Sequence, residues 1–460
     1  MFLRDVELEA LERCYKRETA DLVVIYGRRR LGKTTLILKF LEGKRGVYLY
    51  TPRGKLEDIL DSYIKALIEQ LDLSFVGRLE RFEEFLDIVF RISKEEKIAI
   101  VIDEFQRLQE ADSSAVSILQ DYWDRKFRYT KIKLILVGSL IGMVERLALS
   151  GDAPLFGRPT LRLKIEPLPY FRIRNFWRKL DPKERVLAYG VFGGTPAYVD
   201  VYDFNKDIWT NIEDLLVRRE GRLNSEPEML LASELRNPTV YMSILNRIAM
   251  GERGLPLGKI RVGDFNILPY IKQLEKMDIL ERLYPLGEPR RGALYVFKDE
   301  FFRFWFRYIR RNYWLIEMAR YDLVMENIRR DINNYLSYTY EKILRELLIL
   351  ASGRRIGNIE IPRFRKFGPF WERDLEVDAL GIADRCVVVG EAKWREGKIG
   401  FKEISEIIEK AKILAEKFKK RDYIVVIASK EGFRRRYEEE NLVLLDHENI
   451  EKSFDTLSHK

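Results

Sequence analysis

The stretch Asp21-Leu-Val-Val-Ile-Tyr26 runs directly into Gly27-Arg-Arg-Arg-Leu-Gly32-Lys33-Thr34-Thr35. A short apolar run of this kind, bounded by a glycine, reads as a strand buried on both faces. Residues 27–34 match the pattern G-x-x-x-x-G-K-[ST] in full, between a strand and a helix start. The glycines let backbone N–H groups wrap a triphosphate, and the helix from Lys33 directs its positive end at that charge. Gly27, Arg28, Arg29, Arg30, Leu31, Gly32, Lys33, Thr34 and Thr35 are therefore the expected ATP contacts. Lys33 is expected to reach the β and γ phosphates, and the Thr34 hydroxyl to ligate Mg²⁺. Sequence leaves the arginine triplet open between phosphate, a carboxylate and a partner.

Working outward, Gly46–Tyr50, Lys97–Ile102, Ile132–Val137 and Leu161–Ile165 repeat the short apolar signature between amphipathic helices. That alternation predicts an α/β fold, a parallel sheet covered on both faces. Asp103 and Glu104 follow the strand Lys97–Ile102, where Asp103 would support the Mg²⁺ shell and Glu104 would polarise the attacking water. Ser139, at the tip of the next strand, is a candidate γ-phosphate sensor. Arg158 is a candidate finger or sensor arginine, or else a surface ion pair.

The whole chain has 460 residues, which suggests about three domains. Its 46% hydrophobic content is that of a globular protein, and no apolar run is long enough for a membrane span. Cys14 and Cys386 give no disulfide framework or metal cluster, and His447 and His459 lie together near the C-terminus. His-based zinc or triad chemistry is thereby set aside, and a cytoplasmic location is the default expectation. Lys plus Arg number 82 against 73 acids, a net +9 that permits nucleic-acid binding without requiring it. A charged fraction of 34% resembles the ion-paired surface of a thermophile's protein.

Beyond Pro167 the pattern turns helical, with a turn-rich hinge expected at Tyr189–Pro196. Helices at Val240–Met250 and Ile267–Leu280 precede a basic-tipped turn, Gly287-Glu-Pro-Arg-Arg-Gly292, and a strand at Ala293–Phe297. That order describes a winged helix-turn-helix, which serves either to bind DNA or as a spacer. The aromatic run Phe301–Trp314 is expected to anchor it. Strands then return at Arg354–Arg363, Leu375–Ile382, Cys386–Trp394, Tyr423–Ile427 and Leu442–Leu445, with an amphipathic helix at Phe401–Phe418. In this second α/β domain, Glu391 and Lys393 project from one strand face, and a neighbouring Asp378 strand would complete two carboxylates and an ammonium. Such a group suits a Mg²⁺ ion that polarises a phosphodiester, with the lysine orienting or deprotonating a water. Arg363, Arg365, Lys366, Arg373, Lys398 and Arg434–Arg436 are a candidate phosphate-tracking rim.

Phe2-Leu-Arg4-Asp-Val-Glu7-Leu8, Tyr26–Thr34, Ile102–Phe105, Gly138-Ser139 and Gly193-Gly-Thr-Pro196 together resemble the archaeal-type P-loop ATPases of the AAA-like STAND group. The resemblance implies a nucleotide domain followed by a winged helix, with Arg4 and Glu7 near the adenine. Asp378, Glu391 thirteen positions on, then Ala392-Lys393, are similar to the PD-(D/E)XK nuclease signature. That similarity adds Glu341 as a further acidic ligand and implies Mg²⁺ or Mn²⁺ at Glu341, Asp378 and Glu391. Val377 stands where the proline of the family name would be.

The combined expectation is a P-loop ATPase core (1–166), a helical lid (167–236), a winged helix (237–315) and a restriction-endonuclease-like PD-(D/E)XK domain (316–460). Glu104, Lys33, Ser139 and Arg158 would serve ATP hydrolysis, and Asp378, Glu391 and Lys393 would serve cleavage of double-stranded or branched DNA. The alternatives are a nucleotide-dependent switch with an inert nuclease-like domain, and a homo-oligomeric ring motor with Arg158 acting between subunits.

Overall fold

The computed structural model describes residues 4–72, 77–139, 141–263, 265–287, 292–372, 374–435, 437 and 439–458. Phe2 and Leu3, the tip at 288–291, Arg373, Arg436 and His459, all named above, lie outside these. The chain forms two compact units, one of residues 1–167 with 276–278, the other of 168–275 with 279–460.

The first unit is built on β1 (Asp21–Tyr26), β2 (Gly46–Tyr50), β3 (Ala99–Asp103), β4 (Lys133–Gly138) and β5 (Leu161–Lys164), all parallel, in the order β2-β3-β4-β1-β5. Side-chain alternation explains the two cores. Leu22, Val24, Ile100, Ile102, Leu134 and Leu136 fill one face, while Val23, Ile25, Val101, Ile135 and Val137 fill the other. A strand that is apolar on both faces can only lie inside such a sandwich. Because β4 separates β1 from β3, its tip stands between the phosphate loop and the Asp103-Glu104 pair.

In the second unit, helices at Pro182–Phe192, Glu226–Glu234 and Pro238–Ala249 are followed by Leu268–Lys276 and the antiparallel hairpin β6 (Leu280–Leu283) and β7 (Leu294–Phe297). Residues Tyr189–Pro196 contain the expected turn, at Gly193-Gly194, and it is a closely packed corner. Tyr189–Phe192 finish a helix, and a Cβ on Gly194 would lie 1.8 Å from the Leu168 carbonyl oxygen. Phe301, Phe302, Phe304, Trp305 and Phe306 are buried, as the aromatic density suggests.

A 31-residue helix, Tyr321–Ala351, leads into the C-terminal sheet. The expected strand at Arg354–Arg363 is instead a small hairpin, β8 (Arg355–Ile356) and β9 (Ile359–Glu360), because Gly357 turns the chain at φ +57°. The sheet itself runs β10 (Lys366–Glu372), β11 (Leu375–Ile382), β12 (Cys386–Lys393), β13 (Asp422–Ser429) and β14 (Leu442–Asp446), paired in chain order. β10, β11 and β12 are antiparallel, whereas β12, β13 and β14 are parallel. β10 has no counterpart in the expected strands: Pro369 sits at its register break and hides the alternation. The helix Phe401–Lys417 packs Ile404, Ile407, Ala411 and Leu414 onto Val387, Val389, Val425 and Ile427. On the opposite face Gly390 touches the long helix, where a Cβ would stand 2.8 Å from Leu348 Cδ1.

Candidate active sites

At the end of β1, Gly27 comes so close to β5 that a Cβ would lie 2.2 Å from the Ile165 carbonyl oxygen, so only glycine fits. Gly32 takes the left-handed conformation, φ +83°, and turns the loop into the helix Lys33–Leu41. Lys33 Nζ donates to the carbonyls of Gly27 (2.7 Å) and Arg28 (3.0 Å). Thr34 Oγ1 donates to Asp103 Oδ2 (3.2 Å), which joins the two halves of the expected Mg²⁺ shell. Arg28 is buried, Arg29 half-buried and Arg30 exposed, and Thr34 and Thr35 face outward at the helix start. Arg4 reaches the same loop: its Nη2 donates to the carbonyls of Leu31 (2.9 Å) and Glu166 (2.6 Å), and its Nη1 to Glu7 (3.2 Å).

Glu104 has φ +56°, a conformation unusual for a non-glycine residue and often kept at working sites. Its amide donates to Asp103 Oδ1 (2.9 Å), and its Oε2 accepts from Ser139 Oγ (2.9 Å) and from Gln106 Nε2. Ser139 therefore touches the expected general base. Tyr48 OH donates to Asp103 Oδ2 (2.6 Å). Burial foremost, then Asp103, pushes the Tyr48 phenol well above its ordinary value, so it remains a donor. Tyr48 and Gln106 are absent from the expected set, although Gln106 lies two residues past Glu104 and Tyr48 sits one strand over. Arg158 stands apart from this group as the ion-pair alternative has it. Its Nε and Nη2 fork over Asp124 (2.9 and 2.7 Å), and its Nη1 donates to Pro154 O.

In the C-terminal sheet Ala379 pairs with Gly390, and one step along the same register sets Asp378 opposite Glu391. Asp378 Oδ2 accepts from the Ala392 amide (2.8 Å). Glu391 accepts from Lys393 Nζ (3.2 Å) and from Lys410 Nζ (2.9 Å), the latter on the helix Phe401–Lys417. Glu341 projects from the long helix near Arg345 (3.6 Å), whose Nη1 also donates to the Asp378 carbonyl. A fourth acid, Glu376, shares Arg253 with Glu341 and Asp378. Lys410 and Arg253 are absent from the expected set.

Charge regulation in this cluster is strong. Burial, then Glu341 and Glu391, raises the Asp378 carboxyl well above its ordinary range. Burial also raises Glu341, against the pull of Arg253 and Arg345. For Glu391 burial is outweighed by Lys393 and Lys410, and the carboxyl is held below its ordinary value. Burial likewise fails to discharge Lys393, because Glu391 and Asp378 hold its ammonium above the usual range. A lysine so held orients a water or phosphate better than it deprotonates one. Among the described residues no three His, Cys, Asp or Glu side chains converge as a metal cage. The donor chemistry nonetheless fits Mg²⁺ or Mn²⁺, since Asp378, Glu391 and Glu341 offer hard carboxylate oxygens.

Among the described residues no helix is long and apolar enough to cross a membrane. Residues 1–201 match the family model for an ATPase domain found predominantly in Archaea. Residues 305–407 match a family of archaeal and bacterial proteins of unknown function. An uncharacterized ATP-binding protein of Methanocaldococcus jannaschii, MJ0423, is 57% identical over 42 residues, 9% of this chain and 71% of that protein. The Walker-type ATPase PABY2304 of Pyrococcus abyssi aligns with a TM-score of 0.48 at 18% identity, over 67% of this chain and 96% of that one. For the Aeropyrum pernix ORC2 protein the TM-score is 0.43 at 14% identity, over 69% and 96%. The uncharacterized protein MJECL04 of M. jannaschii is 33% identical over 403 residues, 86% of this chain and 88% of that protein. With its phosphate loop, Asp103-Glu104 pair and five-stranded parallel sheet, the chain carries an archaeal-type P-loop ATPase domain, and over most of its length it belongs to the same family as MJECL04.

Proposed function

We propose that this chain hydrolyses ATP in its first unit and, in its C-terminal sheet, cleaves the phosphodiester backbone of double-stranded or branched DNA. In the first reaction Glu104 takes a proton from water as the water oxygen attacks the γ phosphorus, and ADP departs with the electrons of the broken P–O bond. Ser139 and Gln106 fix the carboxylate that takes the proton. Lys33 and the loop amides neutralise charge on the phosphates, and Thr34 with Asp103 would hold Mg²⁺.

The nuclease reading is carried by one observation: Asp378 and Glu391 face each other across β11 and β12, with Lys393 bonded to Glu391. Asp378, Glu391 and Glu341 would hold a divalent ion, which when bound polarises the phosphodiester and its attacking water. Lys393 orients the scissile phosphate as a fixed positive charge. The helices and hairpin of residues 238–297 have the order of a winged helix, with an isolated antiparallel bridge between Leu255 and Tyr295 beside the hairpin. In that reading they place DNA on this face.

Incubation of the full chain with labelled linear, nicked and four-way DNA plus Mg²⁺ or Mn²⁺ tests this. Cleavage that vanishes in Glu391→Ala and Lys393→Ala supports it, and cleavage unchanged in both removes it. A second reading, a nucleotide-dependent switch with an inert C-terminal domain, is favoured by the cationic side chains already on the acids. Nucleotide-dependent DNA binding without cleavage under any metal would select it.

A further inference from the structure

The acid cluster is gripped from a distant stretch of chain. Arg253 lies between the helix Pro238–Ala249 and the β6–β7 hairpin. Its Nη2 donates to Glu341 Oε1 (2.7 Å) and Asp378 Oδ1 (3.2 Å), and its Nη1 pairs with Glu376. Two of the three acids read as metal ligands are therefore held by one nitrogen of a planar guanidinium, whose other arm holds Glu376. Guanidinium is suited to this: it presents donors in a fixed plane, has no acceptor, and keeps its proton at any ordinary pH. Burial does not discharge it, because Glu341 and Asp378 hold it above its usual value.

The turn is shaped to deliver that side chain. Gly254, at φ +138°, lies so close to β7 that a Cβ would stand 2.3 Å from the Tyr295 carbonyl oxygen. Leu255 and Tyr295 exchange backbone hydrogen bonds of 3.1 and 2.8 Å. Arg253 is thus tethered within two residues of the hairpin strand, and a displacement of that strand withdraws it. Glu341 and Asp378 are 94–95% buried while the Arg253 side chain is 35% exposed and its third partner Glu376 is half exposed, so it enters from the solvent side. That is also the side from which an ion would come.

We infer that Arg253 is a built-in competitor of the divalent cation: it holds the nuclease-like site closed until the hairpin turn draws it out. This rests on reading Asp378, Glu391 and Glu341 as metal ligands. Guanidinium and Mg²⁺ or Mn²⁺ require the same carboxylate lone pairs, and each excludes the other.

The test is Mn²⁺ binding to the full chain without nucleotide, measured by calorimetry, for wild type, Arg253→Met and Arg253→Met/Asp378→Asn. Methionine keeps much of the side chain's reach and drops its charge. Expected is Mn²⁺ affinity at least ~10-fold tighter in Arg253→Met than in wild type, since removing a paired charge frees its partners. Asp378→Asn should abolish that gain. Equal affinity in wild type and Arg253→Met, lost with Asp378→Asn, overturns the competition and leaves the metal site standing. Absence of Mn²⁺ binding at Asp378 in every variant overturns both. Should Arg253→Met fail to melt cooperatively in EDTA, Arg253→Gln replaces it: the shorter, neutral amide removes the charge on the two carboxylates, so a gain of the same sign is expected and an unchanged affinity refutes the idea.

Discussion

Ser139 offers a sharp test of the proposed hydrolytic centre, because its hydroxyl bonds Glu104 (2.9 Å) and would position that carboxylate as the base. Hydrogen bonds to an ionised group contribute about 1.5–3 kcal/mol, or roughly 10- to 100-fold in rate if felt fully in the transition state. Gln106 still holds the same oxygen, so Ser139→Ala should fall toward the lower end of that range. The loss should appear in kcat for phosphate release at saturating ATP and Mg²⁺, with KM little changed. Glu104→Gln alone should cost about 10²- to 10⁴-fold, the usual worth of a general base. The double variant decides the mechanism. If Ser139 acts through Glu104, Ser139→Ala should cost almost nothing further in the Glu104→Gln background. An equal cost in both backgrounds would mean that the hydroxyl works on the γ phosphate directly, and the positioning role would be refuted.

Lys33→Ala should abolish binding of a fluorescent ATP analogue, and affinity kept within about threefold would remove the loop from the site. Tyr48→Phe deletes the 2.6 Å bond to Asp103, so the Mg²⁺ concentration for half-maximal turnover should rise several-fold; an unchanged Mg²⁺ dependence counts against the shell drawn here. Asp378→Asn should stabilise the protein in EDTA at neutral pH. Burial above all, with Glu341 and Glu391, raises this carboxyl in the folded state. The unfolded chain loses the proton near the ordinary carboxylate value, so the folded state loses ground as pH rises from there toward the raised value. Urea unfolding at about pH 4, 5.5 and 7 should show the variant's advantage growing from near zero, and a constant or shrinking advantage would refute the assignment.

Both candidate groupings are legible in the sequence where position follows chain order. The phosphate loop is contiguous, and strand alternation alone puts Val23 and Val24 on opposite faces and Glu391 and Lys393 on the same one. Asp378 followed once β11 paired with β12. What stayed hidden depends on contacts between remote segments. Lys410 carries no mark among the charged residues of its helix, and Arg253 lies 88 positions from Glu341 and 125 from Asp378. Pro369 masks β10, and the Arg354–Arg363 run is apolar enough to predict one strand although Gly357 turns it at positive φ.

Charge balance at the C-terminal cluster sets a condition on any ion that binds there. Glu341, Glu376, Asp378 and Glu391 face Arg253, Arg345, Lys393 and Lys410, four acids against four cationic side chains. Because burial raises Asp378 and Glu341, these acids at most balance the cations, and a divalent ion added to them leaves the pocket strongly positive, an unfavourable state where charges are poorly screened. Arg345, Lys393 and Lys410 belong to the helices and strand that frame the sheet, so Arg253 is the cation on a separate turn. Either Arg253 leaves or a phosphodiester arrives with compensating charge. Mn²⁺ affinity should accordingly rise when a short DNA duplex is present, and rise less in Arg253→Met, where one positive charge is already gone. A duplex effect of the same size in both proteins would show that the guanidinium has no part in setting the charge of the site.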